Sequence, residues 1–559
     1  MPTGGEILVE VLRAEGVRHV FTVPGESVIA ALDAMHGHAA VRPVTCRNEA
    51  GAAMMAEATG KLTGRPGVAI VTRGPGAANA TAGVYVAAQD ATPMVLLVGP
   101  PPSSMDGLPA FQSIDLEALF GGIAKWVVRV PSAARLQSTL ARAFRAALAS
   151  RPGPVVVGLP EDVLTDITDT VAAQFTRTET ARIAPQAAAL DAIKTALAYA
   201  ERPLVVAGGS EWSEEAAQNL AVFAERFDLP VVAAFRRQDH LDNRHPCYAG
   251  HAGFAIDPSL AAGLKASDLV IALGTRLGDV TTQGFHLLNG QTEGQKIIHI
   301  APDAGGIQST VSAALIVAAD TALTVAELAD LPLPGKRPPW GIWRRDLRAA
   351  YEASLKPQST PGEVQLEYVI AALNKLLPED AIVCNGAGNY TGFLHRYFAY
   401  KMYGTQLAPV SGSMGYGLPA AIAAKLAHPE RVVVALAGDG CLQMTSQELM
   451  TAVQFGLNII VIIANNGTLG TIRMHQERHY PGRVVATSLM NPDFTRWAES
   501  CGALGLRVES NGAFVSAMQQ ALKLDRLTVI ELMADPEAIS TRDTITSIRQ
   551  AHAAARTKT

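Results

Sequence analysis

Short, uninterrupted apolar runs alternate along the chain with Ala-rich segments whose apolar positions recur at helical spacing. In the first stretch, Val17 to Val23, Val41 to Cys46, Val68 to Thr72, Met94 to Gly99 and Val155 to Leu159 read as strands. Runs that are apolar throughout, rather than at every second position, belong to strands covered on both faces. The alternation therefore predicts a parallel sheet between layers of helices.

A polar stretch around residues 170 to 186 interrupts this rhythm. A second series follows, with strands near Pro203 to Ala207, Val231 to Phe235, Asp268 to Leu273 and Lys296 to Ile300. Residues 331 to 363 are Pro-rich, a composition suited to an extended linker, and a third series runs from about residue 364 to 540. The pattern predicts an α/β chain of three doubly wound parallel-sheet domains, at residues 1–170, 186–335 and 360–545. The basic, Ala-rich tail Arg549 to Thr559 lacks an apolar stripe and is expected to fray or to dock on a neighbour.

Composition excludes several classes. With 559 residues, 48% hydrophobic and 17% charged, the chain can bury several cores and is not a disordered polymer. A formal net charge of −5 without long like-charge blocks gives no footprint for nucleic acid or for an anionic membrane surface. Cys46, Cys247, Cys384, Cys441 and Cys501 lie far apart without CxxC spacing, which fits free thiols in a reducing, cytoplasmic setting. No signal-peptide pattern opens the sequence, and no run of about 18 apolar residues predicts a membrane span.

The segment Arg431 to Asn466 spells strand, turn, helix, strand. Gly438-Asp439-Gly440 closes the first apolar run, Thr445 and Glu448 have capping-box spacing, Gly456 is placed to end the helix, and Asn458 to Asn466 is the second run. If the two strands are neighbours in one parallel sheet, Asp439 and Asn466 emerge together at its carboxyl end, the edge where such sheets bind ligands. A carboxylate, an amide oxygen and the backbone carbonyl of Thr468, completed by water and a diphosphate, would suit magnesium. Taken singly, Gly-Asp-Gly and Asn-Asn-Gly are ordinary turn sequences; at matched strand ends they form a candidate metal site.

Gly438-Asp439-Gly440 followed after 24 residues by Asn465-Asn466 resembles the diphosphate and magnesium motif of the thiamine diphosphate-dependent enzymes of the acetolactate synthase, pyruvate oxidase and benzaldehyde lyase type. The resemblance spans essentially the whole chain. It implies a pyrimidine-binding domain first, a central domain next and a diphosphate-binding domain last. Arg47-Asn48-Glu49-Ala50-Gly51 sets Glu49 at the family's activating position, where a carboxyl bonded to N1′ of the aminopyrimidine promotes the C2 ylid.

The same resemblance assigns further residues. Ser411-Gly412-Ser413-Met414-Gly415 is similar to the loop that bends the cofactor, with the Gly412 carbonyl and Met414 amide meeting the pyrimidine and the Met414 side chain between the rings. Asn385 to Tyr390 resembles the diphosphate-contacting loop, with Asn389 and Tyr390 as donors beside the amides of Gly440 and Cys441; Thr468 and Gly470 complete the cofactor set. Val23-Pro24-Gly25-Glu26 and Arg73 to Asn79 look like the loops that line the pyrimidine and substrate cavity, and Phe111-Gln112 resembles the pair facing the reacting carbon. A homodimer or homotetramer is implied, with Glu49 of one subunit serving a cofactor held by another.

The chain also departs from the pattern. At His475 acetolactate synthases usually carry Trp, which implies a different acceptor or donor, and an imidazole there could itself move a proton. Gly274-Thr275-Arg276-Leu277-Gly278-Asp279-Val280 is similar to a stretch of flavin-containing relatives, but Val280 replaces its final Arg, leaving FAD open. The absence of adjacent histidines favours joining or cleaving a carbon–carbon bond over simple decarboxylation. The expected function is therefore a thiamine diphosphate- and Mg2+-dependent, acetolactate synthase-like carboligase or lyase acting on 2-keto acids, aldehydes or acyloins through the ylid and an enamine. Glu49, Gln112 and His475 are its candidate catalytic residues. A 2-keto acid decarboxylase and a catalytically idle regulatory paralogue are the alternatives. A nicotinamide oxidoreductase is disfavoured by the missing GxGxxG fingerprint.

Overall fold

In a computed structural model, which describes residues 1–169, 177, 179, 181–288, 294–303, 312–333 and 340–556, the apolar runs become three six-stranded sheets. The first holds β1 (His19–Thr22), β2 (Arg42–Thr45), β3 (Gly67–Thr72), β4 (Met94–Gly99), β5 (Trp126–Arg129) and β6 (Pro154–Gly158). The second holds β7 (Pro203–Ala207), β8 (Val231–Ala233), β9 (Tyr248–His251), β10 (Leu269–Leu273), β11 (Lys296–Ala301) and β12 (Leu315–Ala318). The third holds β13 (Ile382–Asn385), β14 (Gln406–Leu407), β15 (Val433–Gly438), β16 (Ile460–Asn465), β17 (Leu504–Val508) and β18 (Thr528–Met533).

The strand orders are β2-β1-β3-β4-β6-β5, β12-β11-β10-β7-β8-β9 and β14-β13-β15-β16-β18-β17, and every pairing within them is parallel. Each order reverses at an interior point, between β1 and β3, between β7 and β10, and between β13 and β15, and the first and third turn back again from the edge strands β5 and β17 to β6 and β18. At such a point the loops leaving two neighbouring strands diverge and open a crevice.

Burial follows the sequence pattern. β4, β6 and β15 are buried along their whole length, as unbroken apolar runs require. One face of the second sheet packs Val205 and Ile271 with Phe223 and Phe227, and the other packs Val206 and Val270 with Leu260 and Leu264. By contact the chain forms two compact units. The first comprises Met1–Ala181 with Pro409–Glu430 and Gln443–Leu457; the second comprises Arg182–Ala408, Arg431–Leu442 and Asn458–Thr559.

Two local expectations are corrected. Thr445 and Glu448 form no capping box: the Thr445 hydroxyl donates to the Gly415 carbonyl, 2.6 Å away, and Glu448 turns toward the amides of Arg47 and Asn48. The tail does not fray at Arg549. A helix runs from Ile545 to Arg556, with Ile545 and Ile548 packed on Met474 and Ile539, and the Arg549 guanidinium 2.7 Å from the buried Glu477 carboxylate. That pairing holds Glu477 down to about 2. Gly456, at φ +61, ends its helix as expected. The polar stretch at 170–186, residues 334–339 of the Pro-rich stretch 331–363, and the last three residues, 557–559, lie wholly or partly outside the described residues; the rest of that Pro-rich stretch is no extended linker, since Gly341–Ser354 forms a helix that buries Leu347 and Tyr351. Among the described residues no helix is long and apolar enough to cross a membrane, and all five cysteines are free.

Candidate active site

At the reversal point of the first sheet the loops after β1 and β3 touch. A Cβ added to Gly25, next to the exposed Pro24, would lie 2.5 Å from the Thr72 Cβ, and the Ser27 and Thr72 hydroxyls are 2.9 Å apart. Beyond β2, Asn48 caps the helix Glu49–Thr63 by accepting the Ala50 amide at 2.8 Å, which places Glu49 in the first turn. Glu49 is only 9% exposed. Its Oε2 accepts from Asn79 Nδ2 at 3.0 Å, and Gly76 leaves Oε1 uncrowded, since a Cβ there would come within 3.2 Å of it.

The backbone just before Glu49 is held by Glu448, whose Oε1 accepts the amides of Arg47 at 3.0 Å and Asn48 at 2.9 Å. Burial pushes the Glu448 carboxyl up, while the Thr451 hydroxyl and these amides hold it back. Gly51 is required here, because a Cβ at that position would lie 2.7 Å from Glu448 Oε1. Gln112 has a φ of +57 and rests against Gly74, the residue before the helix Pro75–Asp90 that carries Gly76 and Asn79; Phe111 beside it is 77% exposed.

The segment 409–416 turns at Gly412, φ +72, whose amide donates to the Pro409 carbonyl at 3.0 Å. Met414 follows, half-buried. Both ends of the turn are tied to the helix Glu49–Thr63 and its neighbour. The Val410 amide donates to Asp90 Oδ1 at 2.7 Å and the Tyr416 hydroxyl to Glu57 Oε2 at 2.5 Å. Lys61 bridges the two carboxylates, ion-paired with Asp90 and 3.0 Å from Glu57 Oε1, which also accepts from the Thr92 hydroxyl at 2.7 Å.

In the third sheet Gly438 on β15 lies opposite Ala464 on β16, so Asp439 and Asn466 leave neighbouring strands at the same edge, as predicted. Asp439 Oδ1 accepts the Gly440 amide at 2.8 Å, and Oδ2 accepts the Gly467 amide at 2.8 Å and Asn491 Nδ2 at 2.7 Å. Asn466 Oδ1 accepts the Thr468 amide at 3.2 Å, and Gly470 lies so near that a Cβ there would be 3.4 Å from Asn466 Nδ2. A bridge from Thr468 to Ser488 fixes the backbone between them. Burial raises the Asp439 carboxyl above the ordinary range, opposed by the Gly440, Asn491 and Gly467 donors. Carboxylate, amide and carbonyl oxygens with lone pairs to spare make a hard donor set that fits magnesium.

The remaining candidates are engaged within the protein. Asn389 Nδ2 donates to the Ile539 carbonyl at 2.6 Å, and its Oδ1 accepts the Thr471 hydroxyl at 2.9 Å. The Tyr390 hydroxyl donates to Cys441 Sγ at 3.3 Å while its ring covers Gly438, at the reversal point between β13 and β15. Burial pushes the Tyr390 phenol well up. His475 is exposed on the helix Gly470–His479, its ring stacked on His479 with centroids 6.4 Å apart. Partial burial, then the charges of Arg478 and His479, lower its pKa. Gly274 sits at the second sheet's reversal point, its carbonyl 2.1 Å from where a Gly209 Cβ would be.

Asn79 and Asn491 escaped sequence reasoning as individual residues, and Glu448 reads from the sequence only as a capping residue. Asn79 lay in a loop already marked for the cavity. Asn491-Pro492-Asp493 reads as a helix start, and Asp493 does cap its helix, accepting the Thr495 and Arg496 amides at 3.0 and 3.1 Å. That role hides the one played by Asn491.

The structure thus sets a buried carboxyl beside an amide donor at the head of a helix of the first domain, and an oxygen-rich cluster where two parallel strands of the third sheet end. Three family descriptions match in order: the thiamine pyrophosphate enzyme N-terminal TPP binding domain at residues 2–119, the central domain at 190–328 and the C-terminal TPP binding domain at 386–532. The chain is 30% identical over 552 residues to the acetolactate synthase large subunit of Haemophilus influenzae, covering 95% of this chain and 94% of that one. It is 30% identical to the acetolactate synthase isozyme 3 large subunit of Escherichia coli, covering 96% and 95%, and 31% identical to the large subunit of Corynebacterium glutamicum, covering 96% and 87%. The chain belongs to the thiamine diphosphate-dependent enzyme family that includes these acetolactate synthases.

Proposed function

We propose that this chain is a thiamine diphosphate- and Mg2+-dependent carboligase of the acetolactate synthase type, taking a 2-keto acid as donor and joining it to a second small carbonyl compound. The observation that carries this reading is the buried Glu49 carboxyl at the head of its helix, with Oε2 held by Asn79 and Oε1 uncrowded, in a chain similar to acetolactate synthases along nearly its whole length. The domains implied are pyrimidine-binding at 1–170, central at 186–335 and diphosphate-binding at 360–545. The setting is cytoplasmic.

Thiamine diphosphate, when bound, supplies a carbon nucleophile joined to an electron sink. The chain's own groups set that up. Glu49, with Oε1 uncrowded, would meet the pyrimidine N1′ and exchange a proton with it, while Asn79 keeps the carboxyl from rotating away. The Gly412 carbonyl and Met414 amide would orient the pyrimidine, with the Met414 side chain packed against the cofactor. Pro24 would line the pyrimidine cavity, and Asn389, Tyr390, Gly440, Cys441 and Gly470 would surround the diphosphate. Asp439, Asn466 and the Thr468 carbonyl would hold Mg2+. Gln112 would face the reacting carbon, and the exposed His475, in place of a tryptophan, would border the acceptor side and set its preference apart from that of the biosynthetic synthases.

The test is product analysis after incubation with thiamine diphosphate, Mg2+ and pyruvate, alone and with a second 2-keto acid or an aldehyde. The expected result is a hydroxyketone or hydroxyketo acid containing carbon from both reactants. Free aldehyde with no coupled product would instead make the chain a decarboxylase, and no turnover across a panel of 2-keto acids would make it an idle paralogue.

The working unit is a homodimer or homotetramer in which Glu49 of one copy serves the cofactor of another. On the helix Pro75–Asp90 an uncovered line of Ala78, Ala82 and the 42% exposed Tyr85 runs beside Asn79, a small-residue face suited to a second copy. Tyr85→Asp is expected to shift the protein toward monomer in sedimentation velocity and to lose at least tenfold in activity, because a buried, unpaired charge at an interface costs several kcal/mol, about 2–5. Full activity in a monomeric Tyr85→Asp protein would refute the shared site.

A further inference from the structure

The Asp439 carboxylate is the end of a chain of side-chain amides that starts at a buried glutamate on another strand. Glu531, on β18, is 1% exposed, and its Oε1 accepts from Asn465 Nδ2 at 2.7 Å. Asn465, the last residue of β16, offers its Oδ1 to Asn491 Nδ2 at 2.8 Å and to the Gly467 amide at 3.3 Å. The same Asn491 Nδ2 donates to Asp439 Oδ2 at 2.7 Å.

The amides in this chain are oriented by their neighbours. Asn465 turns its NH2 to Glu531 Oε1 and its oxygen to the Asn491 NH2, with the Gly467 N–H, which donates to Asp439 Oδ2 at 2.8 Å, a secondary donor to that oxygen at 3.3 Å. Asn491 lies between two acceptors, Asn465 Oδ1 and Asp439 Oδ2, so both of its N–H bonds are committed. The result is a carboxylate fixed in rotation by donors on Oδ2 and, through the Gly440 amide, on Oδ1. Glu531 Oε2 has no partner among the described residues, so Asn465 is the contact that accounts for a carboxylate in an otherwise apolar strand.

We propose that Asn491, Asn465 and Glu531 are positioning residues for the divalent cation, acting as one relay that pre-sets the Asp439 carboxylate before the ion arrives. This rests on the reading that Asp439 is an Mg2+ ligand. None of the three is a ligand itself. Their contribution is to spare the site the cost of ordering the carboxylate, and groups that hold metal ligands in this way are commonly worth about 10–100-fold in affinity.

The test is Mg2+ titration calorimetry of the full-length protein saturated with thiamine diphosphate, with the melting temperature of each apo-protein measured in parallel. Asp439→Ala is expected to abolish the Mg2+ isotherm. Asn491→Leu, which keeps volume and removes both donors, is expected to weaken Mg2+ about tenfold without lowering the apo melting temperature, and Glu531→Gln about fivefold by freeing Asn465 to turn. Because the groups act in series, Asn491→Leu with Glu531→Gln should be no weaker than Asn491→Leu alone. If Asp439→Ala leaves the isotherm intact, the metal reading itself has failed. If Asp439→Ala abolishes it while Asn491→Leu binds Mg2+ like the parent, or the two substitutions add fully, the relay is refuted. Should Asn491→Leu not fold, an unchanged affinity in Glu531→Gln refutes it equally.

Discussion

Glu49→Gln is expected to keep its cofactor and lose about 10²–10⁴-fold in kcat. The substitution preserves shape: an amide oxygen can still accept from Asn79, and the helix keeps its Asn48 cap. It removes the ability to hold and hand over a proton at N1′, and a positioned acid or base that loses its proton forfeits its whole share of the acceleration. Because a neutral amide is also easier to bury than a carboxyl, the melting temperature should stay level or rise slightly. Steady-state rates at saturating cofactor, with the cofactor dissociation constant from calorimetry, check both halves. A kcat within threefold of the parent would remove Glu49 from the mechanism, and lost cofactor binding would reduce it to a structural residue.

Lys61→Met is expected to cost about 3–5 kcal/mol in the stability of the first compact unit. Glu57 and Asp90 are both buried and both face the ammonium, so its removal leaves two carboxylates in the interior with only neutral donors beside them. At roughly 2–4 °C per kcal/mol for a unit of this size, the transition assigned to it should fall by about 10 °C. The triple replacement Glu57→Gln, Lys61→Met, Asp90→Asn should regain most of the loss, because apolar or neutral groups of similar shape replace a buried ion cluster at little cost. Differential scanning calorimetry, resolving the separate transitions, decides the matter; a drop of less than about 1 kcal/mol would mean that the cluster contributes nothing net. The same cluster ties Tyr416 to the helix that Glu49 heads and Val410 to its neighbour Pro75–Asp90, so cofactor affinity should fall along with stability.

The central strands were readable because burial on both faces leaves no room for a polar residue. Val155-Val156-Val157 and Val433-Val434 could be nothing but interior strand. The edge strands β5, β9, β12, β14 and β17 were not seen in advance. Trp126–Arg129 and Leu504–Val508 are half-exposed along most of their length, and Gln406–Leu407 is only a two-residue pairing, so none carries the apolar run that marks a central strand. β18 was overlooked for a different reason. Its run Thr-Val-Ile-Glu-Leu-Met is broken by Glu531, whose place inside the sheet makes sense only once Asn465 is beside it. Local spacing likewise found Asp439 and Asn466 at matched strand ends but misassigned Glu448. A capping box is a contact three residues apart, whereas the partners Glu448 takes, Arg47 and Asn48, are about 400 residues away in sequence.

The first compact unit closes only when Pro409–Glu430 and Gln443–Leu457 join the first 181 residues. A ribosome that has finished β6 must still add about 250 residues before Tyr416 emerges to meet Glu57, an interval on the order of 10–50 s at ordinary rates of translation. Throughout that time the nascent N-terminal part carries the Lys61 cluster without its closing segment and leaves apolar surface bare. The order of synthesis therefore makes this half of the enzyme a natural client of chaperones that act while the chain is still growing.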